Sequence, residues 1–115
     1  MSYLIEDLLN HIILEVEYLQ GNSNISEENF MFDETLQRAF VRSLEVIGEA
    51  TKKIPKEIKE NYPDVLWNEL AGLRNRLVHD YFGIDYSIVW DIIKNEIPIL
   101  IVQINNILKA ISKAE

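Results

Sequence analysis

Apolar residues return at intervals of three and four along nearly the whole chain, and nowhere do they alternate with polar ones for long enough to suggest a strand. Leu4, Ile5, Leu8, Leu9, Ile12, Val16 and Leu19 predict an amphipathic helix from about Tyr3 to Gln20, closed by Gly21. After a loop at Gly21-Asn22-Ser23-Asn24, Ser26-Glu27-Glu28 has the pattern of a capped short helix that runs into Phe30-Met31-Phe32. Asp33 can cap a long helix from about Glu34 to Ile54, whose core face is Leu36, Ala39, Phe40, Ser43, Ile47, Ala50 and Ile54. A second strip through Val41, Leu44 and Gly48 implies a second packing partner, and the bare Gly48 lets another helix approach closely. Pro55 ends this helix, and Lys56 to Asn61 can form no more than a short helical piece.

Asp64 is read as the N-cap of a further helix reaching about Phe82, with Trp67 as a core anchor. Gly83-Ile84-Asp85 is a turn, and Asp85 caps a helix carrying Ile88, Val89, Ile92 and Ile93. The last helix tolerates Pro98 in its first turn and shows a stripe of Ile97, Leu100, Ile101, Ile104, Leu108 and Ile111. The economical fold is all-α, an antiparallel bundle of four to five helices in one domain spanning residues 1–115. The apolar strips exceed what one small core needs, so a symmetric homodimer is expected.

Polar chemistry collides with this pattern between Leu73 and Gly83. Projected at about 100° per residue, Leu66, Leu70, Leu73, Leu77, Val78 and Tyr81 share one face, and Arg74 falls in the middle of it. An arginine there snorkels outward, meets a buried carboxylate, or waits for an anion such as phosphate. Asn75 and His79 are four apart, and Arg76 with Asp80 has the spacing of an exposed ion pair. Arg74 and His79 would point about 140° apart on an ideal helix, so a shared site needs the arginine stem to curl round or a second chain to complete the pocket. A histidine near a helix C-terminus also has a plain role on the last carbonyls and the dipole. Glu49 and Lys53 have the spacing of a favourable i, i+4 pair. His11, at the edge of the first helix face, reads as a half-exposed residue without a catalytic part.

Arg74-Asn75-x-x-x-His79-x-Tyr81 resembles the Arg, four to six residues, His motif of the HEPN superfamily, with the polar residue after the arginine that many members carry. Phe82-Gly83-Ile84-Asp85 after Tyr81 is similar to the HepT-like branch, toxin ribonucleases paired with nucleotidyltransferase antitoxins. Arg42-Ser43-Leu44-Glu45-Val46-Ile47-Gly48-Glu49-Ala50, Lys53-Ile54-Pro55 and Tyr62-Pro63-Asp64-x-x-Trp67 resemble that branch in order and spacing. The resemblance implies a metal-independent endoribonuclease toxin with a HEPN-like helical fold. In it Arg74 and His79 would be catalytic, Asn75 would orient His79, and two copies of the motif would meet across a dimer cleft. Glu49 would help to orient site residues, a role that competes with its pairing to Lys53. Tyr81 would receive AMP from a minimal nucleotidyltransferase antitoxin; as a plain residue it belongs to the apolar face. A non-catalytic HEPN module that binds a nucleotide or holds a nucleotidyltransferase complex together is the alternative.

Composition narrows the chemistry. A net charge of −8 excludes a protein that coats nucleic acid by bulk electrostatics, so contact with RNA must be local. The positive charge is clustered at Arg38 and Arg42, at Lys52, Lys53, Lys56 and Lys59, and at Arg74 and Arg76. Zero cysteines exclude disulfides and thiolate metal sites and fit a cytoplasmic protein. The first residues lack the basic region and cleavage site of a signal peptide, and no apolar run is long enough to cross a membrane. There is no phosphate-cradling glycine loop. His79-Asp80 also occurs in metal phosphohydrolases, but His11 is the only other histidine, so neither a metal nor another cofactor is expected.

Overall fold

The computed structural model describes residues 2–78 and 83–114, and it is helical almost throughout. In chain order the helices are α1 (Ser2–Gly21), α2 (Glu27–Met31), α3 (Glu34–Lys52), α4 (Lys56–Asn61), α5 (Trp67–Ala71), α6 (Leu73–Leu77), α7 (Tyr86–Asn95) and α8 (Ile97–Ala114). The bundle consists of α1, α3, α7 and α8, with α5 and α6 together as a fifth rod. α1 lies against α3 and α8, and α3 also takes α5 and α6 on its second strip. That is the all-α bundle the periodicity implies, and it agrees with the helical fold that the resemblance implies.

Three starts obey the capping rule. Ser26 accepts the Asn29 N–H at 3.0 Å, Asp33 accepts that of Leu36 at 3.0 Å, and Asp85 accepts those of Ser87 and Ile88 at 3.0 and 3.3 Å. The core is one cluster of apolar side chains, among them Leu9, Ile12, Phe40, Ile47, Leu73, Leu77, Ile93 and Ile104. Phe30 stacks on Phe40 at 5.3 Å and tilts against Trp90 at 5.1 Å, which fastens α2 between α3 and α7. Buried Gln37 donates from Nε2 to the Phe30 and Met31 carbonyls, satisfying the end of α2 from inside. Among the described residues, every buried side-chain nitrogen or oxygen has a partner.

The segment carrying the motif departs from the expected single helix. Asp64 is exposed and caps nothing; its carbonyl accepts from Gln103 Nε2 at 3.1 Å. The helix begins at Trp67 with Leu66 as an uncapped N-cap, and Trp67 Nε1 anchors it to the Tyr62 carbonyl at 2.9 Å. Gly72, at φ −91° and ψ 11°, closes α5 and opens α6. α6 then stops at Leu77, because Val78 turns extended and pairs with Ile84 in an antiparallel bridge. The Asp85 N–H donates to the Leu77 carbonyl at 2.8 Å, and Gly83 supplies the positive φ of 97° that only a residue without Cβ adopts easily. Among the described residues no helix is long and apolar enough to cross a membrane.

Candidate active site

Of the motif residues, Arg74 and Asn75 lie on α6, between Gly72 and the exit at Val78. On α6 only Leu73 and Leu77, one turn apart, face inward, and both are fully buried. Leu66 and Val78 do not belong to that face, being 53% and 46% exposed. Arg74, one step of about 100° from Leu73, is therefore in solvent rather than in the middle of an apolar surface. Asn75 beside it is also exposed. Among the described residues no carboxylate lies within ion-pairing distance of Arg74. Of the three readings of this arginine, a buried salt link is thereby set aside for the described residues, and an outward guanidinium open to an anion is what the geometry offers.

Arg76 contrasts with it. Its guanidinium forks onto Glu96, with Nη1 to Oε1 at 3.1 Å and Nη2 to Oε2 at 2.6 Å, and both side chains are about one-third exposed or less. The hydrogen bonds that Arg76 donates to Glu96 hold its pKa above the ordinary value; burial works against this, and the charges of Glu96, Glu69 and Asp91 add to it. Such a pair joins α6 to the end of α7 and contributes about 1–2 kcal/mol, between the exposed and the buried cases. Among the described residues the partner is Glu96, twenty residues on; Asp80, the partner that helical spacing suggests, lies outside them.

His79, Asp80, Tyr81 and Phe82 lie outside the described residues. What the structure supplies is their frame. The chain leaves α6 at Val78 and is back beside it at Ile84, with Leu77 and Asp85 hydrogen-bonded below the bridge. α6 ends at Leu77, and the expected i, i+4 relation of Asn75 to His79 and the angular separation of Arg74 from His79 involve a residue outside those described.

Glu49 sits on α3 next to Gly48, the point at which α3 touches the backbone of α5 and the Leu73 side chain of α6. Its carboxylate accepts from Lys52 Nζ at 3.4 Å, not from Lys53. Among the described residues no hydrogen bond ties Glu49 to Arg74 or Asn75: those two are consecutive exposed residues of α6, and Glu49 stays on the neighbouring helix. There it lines a groove with His11, Arg42 and Lys53, a grouping that inspection of single residues missed. Its signal in the sequence is the spacing of Arg42, Val46, Glu49 and Lys53, which repeats one flank of a helix. Among the described residues no group of acidic and histidine side chains could hold a metal ion.

The family described as Ribonuclease HepT-like has a sequence model that matches residues 6–107. The chain is 50% identical over 102 residues to "Putative RNase TTE0752" of Caldanaerobacter subterraneus subsp. tengcongensis, covering 88% of this chain and 91% of that one. It is 49% identical over 95 residues to "Putative RNase MJ1216" of Methanocaldococcus jannaschii, covering 83% and 78% of the two. "Probable ribonuclease HepT" of Thermococcus cleftensis is 40% identical over 96 residues, 84% of each chain. No solved structure matches.

Proposed function

Since this chain belongs to the HepT-like ribonuclease family, we propose that it is a metal-independent endoribonuclease, the toxin of a toxin–antitoxin pair acting in the cytoplasm. The observation that carries the reading is Arg74: an exposed guanidinium with no carboxylate at hand among the described residues, held on a helix whose other face is locked into the core. Its planar fork suits two phosphate oxygens, and its charge survives at any accessible pH. In the proposed reaction the RNA's own 2′-hydroxyl attacks the adjacent phosphorus. The 5′-oxygen of the next nucleotide leaves, and a 2′,3′-cyclic phosphate remains. His79 is the general acid or base, Arg74 neutralises the charge building on the phosphoryl oxygens, and Asn75 orients the imidazole.

We assign the complete cleft to a homodimer in which two motifs face each other. In support, Leu66, Ile99 and Val102 are each more than half exposed, and the first two line a groove of about 230 Å³ between the α5 and α8 segments. The antitoxin is a minimal nucleotidyltransferase that transfers the adenylyl group of ATP to the Tyr81 oxygen and releases pyrophosphate. Negative charge placed two residues from His79 would then repel an RNA phosphate.

Purified protein is expected to cut single-stranded RNA in excess EDTA at its full rate and to leave cyclic phosphate ends. Activity that EDTA abolishes and Mg²⁺ restores would remove the metal-free mechanism. Co-expression with its cognate nucleotidyltransferase is expected to add adenylyl mass to the peptide containing Tyr81 and to silence cleavage. An unmodified, fully active protein recovered from that experiment would remove the proposed mode of neutralisation.

A further inference from the structure

The seam between α1 and α3 carries an open groove of about 190 Å³ that the cleavage chemistry does not use. Its floor is apolar, made by Leu8, Val46 and Ala50, and its walls bring together Arg42, Lys53 and His11, all exposed. Three cation-capable side chains in one groove are unexpected on a chain of net charge −8. Glu49 is the one carboxylate lining it among the described residues, and that carboxylate is engaged by Lys52. Glu15, one turn beyond His11, accepts from Ser43 Oγ at 2.7 Å. Arg42 and Lys53 thus have no carboxylate within ion-pairing distance among the described residues.

We infer that this groove holds the backbone of the RNA strand away from the scissile bond, with Arg42 and Lys53 each on a phosphate and His11 against a base or ribose. The inference rests on the ribonuclease reading and extends it to a second contact region. Arg42 and Lys53 are eleven residues apart, on the order of 16 Å along the helix, which spaces the two charges for different phosphates rather than one. An apolar floor between them accepts the faces of bases and sugars, as single-strand binding grooves do, and imidazole is among the side chains on which bases stack. The groove is also carried by α3, the helix on which α6 and its Arg74 are seated, so both contacts share one rigid support. A local strip of this kind lets an acidic protein hold RNA without a basic surface.

The test uses the whole protein and a labelled single-stranded 2′-O-methyl oligoribonucleotide, which cannot be cleaved by 2′-hydroxyl attack. Binding is followed by anisotropy from low to moderate salt. The Arg42→Gln/Lys53→Gln variant is expected to bind on the order of tenfold more weakly, since two charge-assisted contacts are lost. The slope of log affinity against log salt should become shallower by about 1.4, about 0.7 for each phosphate contact removed. On cleavable RNA its KM should rise while kcat stays within a few-fold. Lys109→Gln/Lys113→Gln on α8 removes the same charge elsewhere and should leave the slope unchanged. Equal slopes for wild type and the Arg42/Lys53 variant, or equal losses in both double variants, would overturn the groove and leave the ribonuclease reading standing. Wild-type protein that binds with the expected slope change yet cuts nothing would keep the groove and remove the catalytic reading. No binding by wild type would remove the groove on its own account.

Discussion

Arg74→Ala is expected to lower kcat for RNA cleavage by about 10²–10³-fold while leaving the unfolding midpoint where it was. The loss follows from removing a fixed positive charge that meets the phosphoryl oxygens as their charge grows. The unchanged stability follows from the setting of Arg74, exposed and with no carboxylate in reach among the described residues, on a helix pinned by Leu73 and Leu77. Arg74→Lys should recover only part of the rate, because an ammonium keeps the charge but cannot fork onto two oxygens. Arg76→Ala should show the reverse profile, losing about 1–2 kcal/mol of stability with the Glu96 pair and keeping its activity per folded molecule. Combining Arg74→Ala with His79→Ala should cost little more than the worse single change, as groups serving one transition state are non-additive. Single-turnover cleavage and urea unfolding on the same preparations give both readouts. Full activity in Arg74→Ala would end the assignment of this residue.

That profile could not have been drawn from the sequence pattern, which placed Arg74 inside an apolar face. A helical period reports which residues can share a face if the helix continues, and Leu66, Leu70, Leu73, Leu77 and Val78 fit one helix well. α5 begins only at Trp67, the helix is interrupted at Gly72 and the backbone becomes extended at Val78, so Leu66 and Val78, at the two ends of the run, lie about half exposed. An isolated glycine within a periodic run is tolerated often enough that its presence alone does not announce a break. Local spacing likewise could not offer Glu96 to Arg76, because that carboxylate comes from twenty residues on, at the end of α7, and packing brings it close. Features whose cause is local were legible: the caps at Ser26, Asp33 and Asp85, the stop at Gly21, and the closing of α3 before Pro55.

Gly48 joins the two kinds of information, and its substitution should have the largest effect on stability. A Cβ at this position would lie 3.0 Å from the Leu70 carbonyl oxygen and 3.7 Å from Leu73 Cβ. The nearest atom belongs to the backbone of α5 and cannot swing aside as a flexible side chain would. Gly48→Ala sets about 1 kcal/mol of helix propensity against a shift of a few tenths of an ångström, so its net effect should be small. Gly48→Val adds two methyl groups with a restricted χ1 to the same contact, and should cost about 2–3 kcal/mol, lowering the melting temperature by roughly 10 °C. The cost should reach beyond stability. Leu73 begins the helix that carries Arg74, so pushing α5 and α6 off α3 moves the guanidinium, and a displacement on the order of 1 Å can cost about 10²-fold in rate. Ile104→Val, a cavity of one methyl group in α8, should cost about 1 kcal/mol and leave the rate per folded molecule intact. Cleavage measured well below both melting temperatures separates the two variants. A Gly48→Val protein that melts with wild type would mean that α3 and α5 are not in the contact described, and with it would go the seat assigned to Arg74.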